Sequence, residues 1–195
     1  HVLNLVRLKP GITAGEISRI TSLQISTVLY TLRSLMDKGL IRKSGLGDTT
    51  RKGGKPPMMW EIDSCFGQVI GIELLSREIR LVLLDFNANI ITEKQLQFKS
   101  DRTPQNFIEQ VTTLVHDTVN DTSPVLGMGV GIPGFVDVDT GYVLHSALSY
   151  THPFPLGKAL QEHVDFPVYL DNTANCGALS AKWLIPDLRD ESHIA

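Results

Sequence analysis

Apolar positions recur at helical spacing from the first residues of this chain. Val2, Leu3, Leu5, Val6 and Leu8 form one stripe. The stripe runs up to the start, so the pattern predicts a helix already under way at His1, with further residues expected before it. Thr13-Ala14-Gly15-Glu16 then carries a capping-box signature, in which a threonine hydroxyl caps the helix and a glutamate reaches back to it. After a break at Thr21-Ser22-Leu23, Ile25, Val28, Leu29, Leu32, Leu35 and Met36 fall at i, i+3, i+4, i+7, i+10 and i+11, one apolar face of a third helix. Ser26, Thr27, Tyr30, Arg33, Ser34 and Asp37 are left on the other face. Lys38 and Gly39 end the helix, a cation near the carbonyl end followed by a glycine able to take the left-handed cap. The period then changes to two. Leu40 to Lys43 predicts a strand, and Met58, Trp60 and Ile62, alternating with Met59 and Glu61, predict its partner. The connection from Arg42 to Lys55 is glycine-rich and carries five cations against one anion. A helix-turn-helix followed at once by a basic hairpin is the layout of a winged helix, here over residues 1–62.

The rest of the chain alternates differently. After a short linker, Asp63-Ser64-Cys65, strands are predicted at Gln68 to Leu75, Glu78 to Phe86 and Ile90 to Phe98. A helix from Pro104 to Asn120 follows, with Phe107, Val111, Leu114 and Val115 on one face. Val125 to Gly134 predicts a buried strand ending in a glycine turn. Pro155 to Val164 predicts a short helix, Pro167 to Leu170 a strand and Ala174 to Leu184 a helix. The order βββαβαβα over residues 66–195 points to an α/β lobe of the ribonuclease H or actin type.

Charge divides along the same line. Residues 1–62 hold ten Lys/Arg against four Asp/Glu, and residues 63–195 hold eight against seventeen. The net balance of −3 therefore hides a basic head on an acidic body, the asymmetry of a nucleic-acid-binding end. No apolar run approaches the roughly 20 residues of a membrane span. No signal-peptide pattern opens the chain. The two cysteines, Cys65 and Cys176, match neither a disulfide framework nor a metal site. They are expected to be small core residues in a reducing cytoplasm. His145, His152 and His163 lack metal-ligand spacing and are taken as surface or core residues.

A helix fits the DNA major groove, and side chains near its N-terminus reach base edges. Gln24, Ser26, Thr27 and Tyr30 are the candidate base readers, and Arg33 suits a guanine or a phosphate. Arg42, Lys43, Arg51 and Lys52 are candidate phosphate contacts, supplying salt-sensitive affinity. Lys55, beside Gly54 and ahead of Pro56-Pro57, is a candidate for a minor groove. Some winged helices bind only proteins, which is the competing expectation.

Head and body together resemble the ROK family (repressors, open reading frames and sugar kinases), in the winged-helix branch related to xylose and N-acetylglucosamine repressors. The resemblance rests on Thr21 to Ile41, on Gly53-Gly54-Lys55-Pro56-Pro57, on Gly131-Ile132-Pro133-Gly134-Phe135-Val136-Asp137 with Thr140-Gly141, and on Pro167 to Asn175. It implies the first lobe of a two-lobed sugar-kinase-like domain. The second lobe, where the family carries a histidine- and cysteine-rich zinc motif, is absent from these 195 residues. A fragment of a longer protein is the favoured expectation and a natural half-length relative the alternative, with no cofactor in this part.

Departures from the family pattern bear on chemistry. Its kinases open the first hairpin with Asp-x-Gly-Gly-Thr, because bare backbone must approach ATP phosphates. This chain has Glu73-Leu74-Leu75-Ser76-Arg77, with Leu75 and Ser76 in place of the glycines. The kinases take the sugar hydroxyl proton with the aspartate of Asn-Asp-Ala-Asn; here the run is Asn172-Thr173-Ala174-Asn175, and threonine is no base near neutral pH. The resemblance therefore implies no catalytic residue. It implies sugar contacts at Gly134 and Asn172, with Thr173 able to donate a hydrogen bond; a tight turn and a helix cap are the plainer roles for the first two. The expected protein is a homodimeric, sugar-responsive transcriptional regulator that binds operator DNA, with no membrane partner. A sugar kinase with a DNA-binding head, and a module that recognises a protein, are the alternatives.

Overall fold

A computed structural model of the chain describes residues 1–48, 55–98, 103–119, 123–146, 148 and 153–185. Arg51, Lys52 and the Gly53-Gly54 pair lie outside the described residues, as do Asn120, His152 and the run from Asp190 to Ala195. The chain divides into two compact units. One is His1–Phe66 with the turn Asp85–Asn89; the other is Gly67–Leu84 with Ile90–Ala195.

The first unit runs α1 (Val2–Leu8), β1 (Ile12–Thr13), α2 (Ala14–Thr21), α3 (Ile25–Asp37), β2 (Ile41–Leu46) and β3 (Met58–Ile62). Its three strands form an antiparallel sheet in the order β1-β3-β2. The capping box at α2 is formed: Glu16 N donates to Thr13 Oγ1 at 3.3 Å, and Thr13 N donates to Glu16 Oε2 at 2.9 Å. The Thr13 hydroxyl bond, then its amide bond, hold the Glu16 carboxyl below its ordinary range. A carboxyl lowered on folding stabilises above its unfolded pKa and loses that contribution as pH falls through the folded value. Thr13→Ala is therefore expected to destabilise this unit by about 1 kcal/mol at neutral pH. The difference should shrink as pH drops below the ordinary glutamate range, read by urea denaturation across a pH series. A gap that stays constant down to pH values well below that range would remove the ionised box from the account.

Ser22, at φ 58°, makes the left-handed turn between α2 and α3. Gly39, at φ +76°, takes the left-handed position after α3. Gly39 N then bonds Met36 O at 2.9 Å and Leu40 N bonds Leu35 O at 3.0 Å, which satisfies carbonyls the helix end would leave open. The core of the unit gathers Val6, Ile12, Ile17, Val28, Leu32, Ile41 and Trp60. One sequence expectation changes here. Ile25 and Leu29 belong to the predicted apolar face of α3, yet they are 53% and 36% exposed, while Val28 and Leu32 are fully buried. At 100° per residue, Leu29 lies roughly 80° round the helix from the middle of the Val28–Leu32 side, at the edge of the stripe. The few elements of so small a unit cover only its centre.

The second unit holds β4 (Gln68–Leu74), β5 (Glu78–Asp85), β6 (Ile90–Gln97), α4 (Pro104–His116), β7 (Val125–Ile132), β8 (Phe135–Asp137), β9 (Tyr142–His145), α5 (Leu156–Gln161), β10 (Val168–Asn172) and α6 (Thr173–Leu184). Asp85 itself falls in the first unit. The five-stranded sheet has the order β10-β7-β4-β5-β6, with β7 parallel to both β10 and β4 and β6 antiparallel to β5. Alternation sends Ile70, Ile72, Leu74, Ile79, Leu81, Leu83, Met128, Val130 and Ile132 to one face. There they share a core with Phe107, Val111, Leu114 and Val115 on α4 and with Leu156 and Leu160 on α5. Thr103 caps α4, accepting from Asn106 N at 3.3 Å ahead of Pro104.

The strand from Val125 is buried along most of its length, as predicted, with Val125 and Leu126 half-buried and Gly129 exposed. Two features depart from expectation. An unpredicted hairpin, β8–β9, follows that strand. Neither cysteine is a core residue: Cys65 is exposed in a 3-10 turn, Ser64–Phe66, and Cys176 is only partly buried on α6, where no residue is fully buried. No helix among the described residues is long and apolar enough to cross a membrane.

Candidate nucleic-acid interface and ligand-contact cluster

In the first unit, Gln24 is the residue immediately before α3, and Ile25 opens the helix. Gln24, Ser26, Thr27 and Arg33 are exposed, and Tyr30 is 76% exposed. The predicted base readers therefore lie on the uncovered side of α3 and its leading turn. Arg42 and Lys43 are exposed on β2, and Lys55 is exposed just before β3. Arg42 is engaged: its Nε lies 2.8 Å from Glu61 Oε1 on the paired strand. Arg51 and Lys52, the remaining candidates, lie outside the described residues.

In the second unit, Gly134, Asn172 and Thr173 come together although 38 positions separate the first two. Parallel pairing of β10 with β7 sets Asn172 opposite Ile132, two residues before Gly134. The Asn172 amide nitrogen donates to Gly134 O, and its Oδ1 accepts from Ala174 N at 2.7 Å as the cap of α6. Gly134 has φ +140°, and a Cβ there would sit 2.1 Å from His145 O. The Ser146 hydroxyl donates to Pro133 O at 2.6 Å and pins the same turn, a tie the sequence did not announce. Both Gly134 and Asn172 thus have structural work. Asn172→Ala is expected to destabilise the unit by about 1–2 kcal/mol, through the lost cap and a carbonyl left without its donor. Denaturant unfolding checks it, and a midpoint unchanged from the parent would contradict the tie.

Thr173 is different. Its Oγ1 is buried and has no hydrogen-bond partner among the described residues. It lines a groove of about 950 Å³ on the sheet face opposite α4, together with Gly71, Glu73, Arg80, Gly131 and Cys176. Partial burial, then the charge of Asp171, push the Cys176 thiol up. The Asp171 carboxylate accepts from Asn172 N at 2.7 Å and from Asn175 Nδ2 at 2.9 Å. The first hairpin closes tightly, with Leu75 N bonded to Glu78 O at 2.9 Å. Arg80 sits between Glu78 at 2.7 Å and Glu73 at 3.7 Å, so the guanidinium there already faces carboxylates. Among the described residues, no group of three His, Cys, Asp or Glu could hold a metal ion.

Three helices and a three-stranded sheet, with Arg42 and Lys43 exposed on β2, make the first unit a winged helix-turn-helix, and the winged helix-turn-helix DNA-binding model matches residues 1–42. The ROK family model matches residues 69–193. The chain belongs to the ROK family. Relatives include a putative xylose repressor of Caldicellulosiruptor sp. (strain Rt8B.4), 31% identical over 176 residues, which cover 88% of this chain and 44% of that protein. The xylose repressor of Bacillus subtilis (strain 168) is 26% identical over 88% of this chain and 44% of its own length. A glucokinase of Halalkalibacterium halodurans is 27% identical over 122 residues, 58% of this chain and 36% of that one. Among solved structures, a ROK family transcriptional regulator described as a homolog of the E. coli MLC protein superposes with TM-score 0.74 at 17% identity, over 97% of this chain and 48% of that one. This chain spans about half the length of the curated repressors it matches.

Proposed function

We propose that the chain is the DNA-reading and sensor-bearing half of a transcriptional regulator, a repressor of carbohydrate genes whose ROK lobe responds to a sugar or sugar derivative. The observation that carries this reading is the pairing, in one chain, of a winged helix whose polar face is uncovered with a ROK lobe lacking the phosphate glycines. Relatives of both parts at once are named xylose repressors, which supports xylose or a related sugar as the first effector to try. Ligand binding would alter how paired heads meet half-sites about one helical turn apart, so a homodimer working in the cytoplasm follows from the reading. In this reading Gly134, Asn172 and Thr173 contact the sugar; what supports it is that the three lie together and that Thr173 Oγ1 has no hydrogen-bond partner among the described residues. No cofactor is assigned to this half; a structural zinc belongs to the second lobe of the proposal.

The test titrates the full-length protein onto DNA from upstream of its own gene, with and without xylose, glucose and N-acetylglucosamine. Specific binding released by one of them is expected. Failure to bind any such DNA above random sequence would sink the proposal. The glucokinase relative keeps a second reading alive, that of a kinase with a DNA-binding head. In that reading a coupled ATP-turnover assay over the same sugars shows activity; with Leu75 and Ser76 in the hairpin and Thr173 at the base position, none is expected.

A further inference from the structure

The exposed arc of α3 is not purely polar. At 100° per residue, positions 25, 26, 29, 30 and 33 share an arc of about 140°. Ile25, Leu29 and Tyr30 contribute 53%, 36% and 76% exposure to it, and Leu23, just ahead of the helix, is 40% exposed. A single exposed isoleucine on a protein surface is ordinary. Here the apolar residues sit on the first two turns of the helix whose N-terminal part reaches base edges, beside Ser26 and Arg33. They also sit in residues 1–62, which hold ten cations against four anions; that balance suits a polyanion and not a second copy of the same basic surface. In the major groove, DNA offers one apolar group, the C5 methyl of thymine.

We infer that this head reads thymine methyl groups, with Ile25 packed against a methyl in each half-site and Leu29 extending the contact one turn on. The inference rests on the proposal that the head binds operator DNA. It assigns Ile25 and Leu29 a role that apolar periodicity alone gives to the core. Ser26, Tyr30 and Arg33 make the polar contacts alongside.

The experiment uses the full-length protein and the site it selects from a random DNA pool. Each thymine of one half-site is replaced in turn by deoxyuridine, which removes only the methyl. Affinities are measured by fluorescence anisotropy at fixed salt, for the parent protein and for Ile25→Ala. One or two positions should each lose about fourfold, the worth of one buried methyl-sized group. Ile25→Ala should lose a similar factor and then show no further loss at one of those positions. Its melting temperature and the salt dependence of binding should match the parent, because the residue is neither core nor a phosphate contact. Uracil tolerated at every thymine, or losses that simply multiply with Ile25→Ala, would overturn the inference while leaving DNA binding intact. So would an Ile25→Ala protein whose only change is its oligomeric state, which would assign the face to a second copy. If selection yields no preferred site at all, it is the proposed function that fails.

Discussion

Operator affinity is expected to fall about a hundredfold per head when salt rises from about 50 to about 200 mM. The figure follows from phosphate neutralisation, in which the logarithm of the binding constant falls with that of salt at about 0.9 per contact. In the proposed DNA-binding reading, Arg42, Lys43, Arg51 and Lys52 would supply three to four such contacts. Their separate weights differ. Lys43 is exposed with no acidic partner in its register, which pairs it with Trp60, so Lys43→Ala should lower the slope by about one. Arg42 already faces Glu61 at 2.8 Å and must leave that carboxylate to reach a phosphate. An exposed ion pair is weak, about 0–1 kcal/mol, so the exchange is open to the DNA. Glu61→Gln should then tighten binding a few-fold at low salt by freeing Arg42 and removing a nearby negative charge. Binding that ignores salt would show that these cations touch no phosphate.

Gly134→Ala should destabilise the second unit by about 3 kcal/mol or more, enough to lower its unfolding midpoint clearly in urea. Two effects add. The residue holds φ +140°, a region that L side chains rarely adopt, which costs on the order of 1–3 kcal/mol for a non-glycine residue. The new methyl would meet His145 O at 2.1 Å, and that atom is backbone, held by the β8–β9 hairpin. It cannot swing away as a side chain would. Displacing the turn would also pull Gly134 O from the Asn172 amide and disturb the cap of α6. A variant with the stability of the parent would mean the turn is looser than this packing implies. If Gly134→Ala instead folds normally and loses only sugar response, the turn belongs to the ligand and not to the fold.

Local chemistry made much of this protein legible. The capping box at Thr13 and Glu16, the glycine after Lys38 and the change of period at Leu40 are interactions over a few residues. They form wherever the sequence provides them, so the winged helix could be traced before its tertiary contacts were known. The same holds for β4, β5, β6 and α4, whose alternation or helical stripe predicted their positions to within a few residues. The β8–β9 hairpin escaped because its strands are three and four residues long, too short for a period to register. Asp137 organises that turn by accepting from the amides of Asp139 and Thr140, an arrangement of single hydrogen bonds and not a pattern.

By itself the sequence determined most of the longer helices and strands, the charge contrast between the basic head and the acidic body, and which kinase groups have been replaced. Those properties depend on residue type and short-range spacing. Tertiary structure alone decided which apolar residues are buried: Val28 and Leu32 are covered while Ile25 and Leu29 stay open, because burial depends on what packs against a face and not on the face's own period. It also decided that Asn172 meets Gly134 and that Thr173 Oγ1 is left without a partner among the described residues, since parallel strands β7 and β10 bring together residues that are remote in the chain.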